Sequence, residues 1–219
     1  TEPMIDWLNA QQHNMLYLLA DLVNIDSNSF DKVGVDKVAD RLQAFFDNHG
    51  IPHETIPLKD HGDALRAVVS GGDGNRPILL CGHRDTVFAA GEVKKRPFST
   101  RDGKAFGPGV ADMKPGLVIN SFILAAFHKF GGHPNPLVGL FTGDEEIGSP
   151  SSKNIIIAEA EKARLAFNSE PSRPSGNIVT GRKGGIFCHC AITGVAAHSG
   201  GFFTERRSEI EELAQKIQA

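Results

Sequence analysis

Short apolar runs that alternate with helical patterns constrain the fold of this 219-residue chain more than any other feature of its sequence. Four such runs, bounded by Gly, Pro, Asn or Asp, are typical of buried strands. The predicted strands cover residues 65–69, 78–81, 137–141 and 165–167. Because helical patterns separate the later runs, the sequence predicts an α/β protein with a mixed, largely parallel sheet flanked by helices.

Apolar residues also recur at helical spacing before and between these strands. The predicted helices cover residues 4–25, 35–49, 116–130 and 149–164. Gly50 follows the second helix and Gly131 follows the third, as glycine commonly does at helix C-termini. Residues 186–193 then alternate as in a strand, and a last helical pattern covers residues 210–217. A new structural unit is therefore predicted to begin near residue 184.

The charge and hydropathy of the chain exclude two classes of partner. Lys and Arg are scattered, the net charge is −3 and the isoelectric point is near 6.3, so we expect no nucleic acid partner. No apolar run approaches the roughly 20 residues that span a bilayer, so we expect no membrane partner. The odd number of cysteines, three, favours a reducing compartment and a cytoplasmic location, although the N-terminal Thr leaves an exported origin open.

Four short segments hold histidine or carboxylates at the end of a predicted strand or in a loop that follows one. They are GHRDTV at 82–87, GPGVADMK at 107–114, TGDEEIG at 142–148 and NSEP at 168–171. Open α/β sheets bind ligands at the carboxyl ends of their strands, so we expect these segments to converge. One imidazole with several carboxylates suits Zn, with Co or Mn possible, and carboxylates can bridge two ions. The pattern therefore predicts a two-metal site for hydrolysis.

The spacing within two of these segments suggests separate roles for neighbouring residues. Side chains of adjacent residues in an extended chain point to opposite sides, so one of Glu145 and Glu146 can bind metal while the other faces the substrate as a base. His83 and Asp85 are two residues apart and share a side. Asp85 is therefore predicted to hold the far imidazole nitrogen of His83 and to leave the other nitrogen for metal.

These segments, together with GVAAHSG at 194–200, resemble one metallopeptidase family in their order and spacing. It is the family of acetylornithine deacetylase, succinyl-diaminopimelate desuccinylase, aminoacylase and the glutamate carboxypeptidases, and the chain is most similar to the last branch. The resemblance implies hydrolysis of a peptide or amide bond next to a free carboxylate, in a small peptide or an N-acyl amino acid. Two alternatives stay open: an N-acyl amino acid deacylase and an inactive metal-binding fragment.

The resemblance also implies how the metal ligands are divided between two zinc ions. His83 and Glu170 would bind the first ion, Glu146 the second, and Asp112 would bridge both. It further implies a cis peptide bond between Asp112 and Met113.

The same resemblance assigns three residues to catalysis. Glu145 would be the general base, and Asp85 would orient His83. His198 would reach into the site of a partner subunit and stabilise the oxyanion, which implies a homodimer for the full-length protein.

Finally, the resemblance divides the chain into residues 1–183, a catalytic domain without its C-terminal part, and residues 184–219, the start of a lid or dimerisation domain. Family members continue further and supply a last histidine ligand to the second ion. Since a three-ligand site can still hold zinc, we expect this chain to bind about one zinc ion or none and to have little hydrolytic activity.

Overall fold

A computed structural model of the protein describes residues 2–74, 76–181, 183–185, 189–198, 200–201 and 207–218. The chain separates into two compact units, the first ending at Gly176 and the second beginning at Asn177. The assignment of residues 1–183 and 184–219 to a catalytic and a lid domain stays a prediction. Among the described residues, no helix combines the length and apolar composition that a membrane crossing requires.

The first unit is built on a five-stranded sheet with the strand order β1-β2-β6-β3-β7. Its strands are β1 His53–Ile56, β2 Ala64–Val69, β3 Ile78–His83, β6 Leu137–Thr142 and β7 Leu165–Asn168. A separate hairpin joins β4 Ser99–Arg101 to β5 Lys104–Phe106. Strand β3 runs parallel to β6 and β7, whereas β2 runs antiparallel to β1 and β6. All four predicted strands and the mixed, largely parallel sheet are confirmed.

The helices of the first unit confirm most of the helical patterns. They are α1 Glu2–Ala10, α2 Gln12–Val23, α3 Lys32–His49, α4 Glu92–Lys95, α5 Lys114–Lys129 and α6 Lys153–Lys162. The prediction of one helix over residues 4–25 is wrong, because the backbone leaves the helical conformation at Gln11 and two helices result. Helix α3 ends as expected at Gly50, whose φ of 67° is left-handed and favours glycine.

Side chains along each strand point alternately to opposite faces of the sheet. Because apolar side chains lie on both faces, helices cover both. Leu80 and Phe141 lie in a core with residues of α2, α3 and α5, whereas Leu79 and Leu140 pack with α6 on the other face. Each fully buried large aliphatic side chain contributes about 2 kcal/mol relative to an exposed one. Strands β3, β6 and β7 are therefore held side by side with their carboxyl ends at one edge.

The second unit contains α7 Glu209–Gln218, which confirms the predicted last helix. An isolated antiparallel bridge joins Val195 to Arg207. In the strand predicted over residues 186–193, residues 186–188 lie outside the described residues and 189–193 form no regular strand. The alternating pattern alone did not suffice there, because a strand also needs a hydrogen-bonded neighbour along its length.

Candidate metal centre

The candidate site lies at the carboxyl edge of the three parallel strands. His83 is the last residue of β3, Glu145 and Glu146 follow β6 in a 3₁₀ turn, and Glu170 lies two residues beyond β7. Asp112 stands two residues before α5, which packs against β3 and β6. The topology thus brings together all four segments that the sequence identified.

Three of the predicted ligands surround one point in front of the His83 ring. Nε2 of His83 lies 3.3 Å from Asp112 Oδ1 and 3.4 Å from Glu170 Oε1, and the possible ligand atoms of the three residues all lie within 4.8 Å of one another. We refer to His83, Asp112 and Glu170 as the His83 cluster. An imidazole nitrogen and two carboxylate oxygens are donors that zinc takes, so the cluster fits such an ion. Within the described residues it is the one group of this kind.

Asp85 holds the opposite nitrogen of the His83 ring. Nδ1 of His83 lies 3.0 Å from the backbone oxygen of Asp85 and 3.3 Å from its Oδ1, and both residues are buried. The Ser29 hydroxyl donates a hydrogen bond of 2.7 Å to Oδ2 of Asp85. With Nδ1 occupied as a donor, Nε2 is the nitrogen that faces the carboxylates.

Asp85 also fixes the segment that carries the two glutamates. The backbone N–H groups of Glu145 and Glu146 donate to its two carboxylate oxygens at 3.2 Å and 3.1 Å. Because these residues begin a 3₁₀ turn, the expectation of an extended chain at Glu145 and Glu146 is wrong. A 3₁₀ turn rotates successive side chains by about 120°, so the two glutamates still point in different directions.

The two glutamates differ in their distance from the imidazole. Oε2 of Glu145 lies 3.6 Å from Nε2 of His83, and the Glu145 side chain is half exposed. Glu146 does not join the His83 cluster. Burial raises the pKa of Glu146; the positive charge of His83 opposes this shift, and the negative charge of Asp112 adds to it. The assignment of Glu146 to a second ion stays a prediction.

Crowded negative charge dominates the electrostatics of the site. Burial alone would lower the pKa of His83, but hydrogen bonds and charge from Asp85 and Glu170 raise it to about 11. Burial raises the pKa of Asp112, and the nearby Glu170 carboxylate raises it further. The chain therefore presents a cluster of carboxylates that is stabilised by the positive charge of His83 at its centre.

The residue that follows Asp112, Met113, is in direct contact with the backbone of His83. The Asp112–Met113 peptide is cis, as the family resemblance implies. The thioether sulfur of the buried Met113 lies 3.1 Å from the backbone nitrogen of His83 and accepts its hydrogen bond.

Lys114 anchors the same segment to the end of α2, and no motif in the sequence pointed to this role. Its buried ammonium group donates hydrogen bonds of 2.8 Å to the backbone oxygens of Leu22 and Ile25. Burial lowers the pKa of Lys114 to about 7, although the negative charge of Asp26 opposes the shift. A lysine two residues after a predicted ligand, at the start of an apolar helix, was the available signal.

Arg84 is a second buried cation that the sequence analysis missed. Its guanidinium donates to the backbone oxygen of Val35 at 2.9 Å and to that of Asp63, while its backbone N–H donates to Thr142 at 2.8 Å. Burial lowers the pKa of Arg84 to about 10 despite the opposing charge of Asp36. Because Arg84 directly follows His83, these bonds connect the end of β3 to α3, to the segment before β2 and to the end of β6.

His198 belongs to the second unit. Its side chain is exposed, and its Nδ1 accepts a hydrogen bond of 3.1 Å from the backbone N–H of Gly200. Its role at the site of a partner subunit stays a prediction.

Known proteins resemble the chain in sequence. The family model described as peptidase family M20/M25/M40 matches residues 79–217. Carboxypeptidase G2 of Pseudomonas sp. (strain RS-16) is 31% identical over 195 residues, which cover 87% of this chain and 46% of that protein. Acetylornithine deacetylase of Edwardsiella ictaluri (strain 93-146) is 26% identical over 201 residues, or 88% of this chain and 51% of that protein. The chain thus spans about half the length of the curated relatives it matches.

Solved structures share the fold. Human carnosine dipeptidase 1 superposes with a TM-score of 0.66 at 15% identity, covering 77% of this chain and 41% of that one. A tripeptidase from Staphylococcus aureus superposes with a TM-score of 0.65 at 18% identity, covering 93% of this chain and 55% of that one. Since the family model matches more than half of the sequence, this chain belongs to peptidase family M20/M25/M40.

Proposed function

We propose that the protein containing this chain is a metal-dependent hydrolase that cleaves a peptide or amide bond next to a free carboxylate, as a glutamate carboxypeptidase does. The observation that carries the proposal is the His83 cluster, whose possible ligand atoms lie within 4.8 Å of one another at the carboxyl edge of the sheet. The similarity to carboxypeptidase G2, at 31% identity, supports the substrate class.

The His83 cluster would hold zinc and leave one coordination position open. Cobalt or manganese would suit the same donors. When bound, such an ion polarises a carbonyl oxygen and makes water more acidic. In the two-ion arrangement, Asp112 would contribute to both ions and Glu146 to the second.

Glu145 is the residue best placed to move the proton. It lies beside the His83 cluster without belonging to it. Burial raises the pKa of Glu145; the positive charge of His83 opposes this shift, and the negative charge of Glu170 adds to it. A carboxylate with a raised pKa is a better base near neutral pH. Its Oε2 would take a proton from water as the water oxygen attacks the carbonyl carbon. It would then return that proton to the amine nitrogen as the carbon–nitrogen bond breaks.

Asp85 and His198 complete the proposed machinery. Asp85 would keep His83 in the tautomer whose Nε2 is free to bind metal, because it holds Nδ1. His198 would donate to the oxyanion from a partner subunit in a homodimer. The separation of the chain into two compact units supports the assignment of residues 184–219 to the start of a lid or dimerisation domain.

A reducing, cytoplasmic environment is also proposed for the protein. It is supported by Cys81 and Cys190, which are both free thiols in the structure. Burial raises the pKa of Cys81 to about 11, so this thiol would stay protonated and unreactive.

The test is hydrolysis by the full-length protein loaded with zinc, on dipeptides and N-acyl compounds that end in glutamate. We expect these substrates to be hydrolysed and their analogues with an amidated carboxylate to be left intact. N-acetylornithine should be tested beside them, because the chain is 26% identical to an acetylornithine deacetylase. Faster release of acetate than of glutamate would favour the deacylase instead, and no turnover of any substrate would contradict both.

A further inference from the structure

We propose that Asn120 is a positioning residue that fixes Glu170 in the metal centre. The inference rests on the proposed function, in which Glu170 binds the ion. Nothing in the sequence motifs involves Asn120, which lies in the middle of helix α5 and is fully buried.

The segment that carries Glu170 receives limited support from the sheet. Strand β7, which precedes it, pairs with β3 and is an edge strand among the described residues. All four residues of β7 are exposed, including Leu165 and Phe167 at more than half of their surface. An edge strand is hydrogen-bonded on one side, so other contacts must set the position of the residues that follow it.

Asn120 provides these contacts with both ends of its amide group. Its Nδ2 donates to the backbone oxygen of Cys81 at 3.0 Å, and its Oδ1 accepts a hydrogen bond of 2.7 Å from the Ser169 hydroxyl. The backbone N–H of Ser169 also donates to the Cys81 oxygen, at 3.4 Å. Cys81 is two residues before His83, and Ser169 immediately precedes Glu170. The amide therefore ties the strand of one ligand to the segment of another.

Close packing of the same helix reinforces this tie. A Cβ atom placed on Gly116 of α5 would lie 2.3 Å from the backbone oxygen of Ser169, far inside van der Waals contact. The helix and the segment therefore touch backbone to backbone. Because α5 also begins two residues after Asp112, one rigid element sets the positions of Asp112 and Glu170.

This geometry gives a quantitative expectation for metal binding. Replacing a residue that orients a metal ligand typically weakens metal binding by about 10- to 100-fold. Asn120→Ala removes both hydrogen bonds, whereas Ser169→Ala removes only the side-chain bond and leaves the helix unchanged. We expect both variants to raise the zinc Kd, Asn120→Ala by about 10- to 100-fold and Ser169→Ala by less.

Ser121→Ala is the matched control. Ser121 is the next residue of α5 and is equally buried, but its hydroxyl donates to the backbone oxygen of Leu117 within the helix. Its loss removes a buried polar group from the same helix and should leave the zinc Kd unchanged. This comparison separates positioning of a ligand from general support of the fold.

The experiment is a calorimetric zinc titration of the 219-residue chain and of each variant, with thermal unfolding of the metal-free proteins alongside. Glu170→Ala and the double variant Asn120→Ala/Glu170→Ala complete the set. If Asn120 acts through Glu170, the double variant should bind zinc as weakly as Glu170→Ala alone.

Three results would overturn the inference. Unchanged zinc Kd in Asn120→Ala and Ser169→Ala, with only lower thermal midpoints, would leave Asn120 a structural role alone. Should Asn120→Ala fail to fold, unchanged zinc affinity in Ser169→Ala would contradict the inference by itself. A further loss in the double variant beyond Glu170→Ala would mean that Asn120 acts by another route. Normal zinc binding by Glu170→Ala would instead contradict the proposed ligand set. The failure of the inference alone is therefore recognised by weak zinc binding in Glu170→Ala together with unchanged binding in Asn120→Ala.

Discussion

Replacing Asp85 by Asn should damage the metal centre far more than the change of one atom suggests. The carboxylate of Asp85 is fully buried and accepts contacts from four donors, at distances between 2.7 and 3.3 Å. These donors are the ring of His83, the hydroxyl of Ser29 and the backbone N–H groups of Glu145 and Glu146. Whichever way an Asn amide is turned, its NH₂ group faces one of these backbone donors.

The magnitude follows from counting what is lost. One backbone N–H is left unsatisfied in a partly buried place, at a cost of about 1–3 kcal/mol, and the remaining bonds lose their charge assistance. We expect Asp85→Asn to reduce the free energy of unfolding by about 3 kcal/mol. Because His83 also loses the partner that fixes its tautomer, the zinc Kd should rise by about 10- to 100-fold.

Urea denaturation of the metal-free protein and calorimetric zinc titration measure the two effects separately. Asp144→Asn is a suitable control, since Asp144 is also fully buried and accepts from the backbone N–H groups of Ser151 and Ser152 and from the Ser152 hydroxyl. Both of these backbone N–H groups donate to the same oxygen, Oδ2, so an Asn can keep both bonds and turn its NH₂ group to the Ser152 hydroxyl. Asp144→Asn should therefore lose less stability than Asp85→Asn and should bind zinc normally. Equal zinc affinity in Asp85→Asn and the unchanged protein would refute the reasoning.

Three further predictions test other parts of the structure. Because the three residues of the His83 cluster converge, the expectation of about one zinc ion or none narrows to one. The 219-residue chain should bind one zinc ion tightly, and His83→Ala should abolish that equivalent in a calorimetric titration. Two tight equivalents would contradict this. Glu145→Gln in the full-length protein should keep its metal content by elemental analysis and lose about 100- to 10,000-fold in kcat, whereas loss of metal would make Glu145 a ligand. Burial alone would raise the pKa of Glu159, but Lys162 and Arg66 lower it. The ionised form of Glu159 therefore stabilises the fold above the ordinary carboxyl pKa of about 4.3. This stabilisation is lost as the pH falls through the lowered pKa of the folded state. Glu159→Gln should therefore destabilise the protein at pH 7 and by less at pH 3 in urea denaturation, while the exposed Glu161→Gln should show little change at either pH.

The sequence predicted the parts of the fold that have a strong local signal. Buried strands such as β3 and β6 are short apolar runs, and Gly50 marks the end of α3 by its conformation. Strand β1 has only exposed and half-buried residues and therefore gave no apolar run. The break at Gln11 was missed because neither Gly nor Pro marks it.

The same distinction applies to the site. The histidine and the carboxylates were found because each lies in a short segment at the end of a strand. The roles of Asn120, Lys114 and Arg84 were not found, because each donates to backbone oxygens distant in sequence. A backbone oxygen exists at every residue, so its role as an acceptor leaves no trace in the residue types.

These buried donors explain how a cluster of repelling carboxylates keeps its shape. The carboxylates around His83 raise one another's pKa values, so their mutual repulsion favours opening of the site. The segments that carry them are held by bonds made away from the cluster, through Asn120 at Ser169 and through Lys114 at the end of α2. Because these bonds end on backbone oxygens or a neutral hydroxyl, they do not neutralise the carboxylates. The site therefore keeps its negative charge for a metal ion while the surrounding structure resists the repulsion.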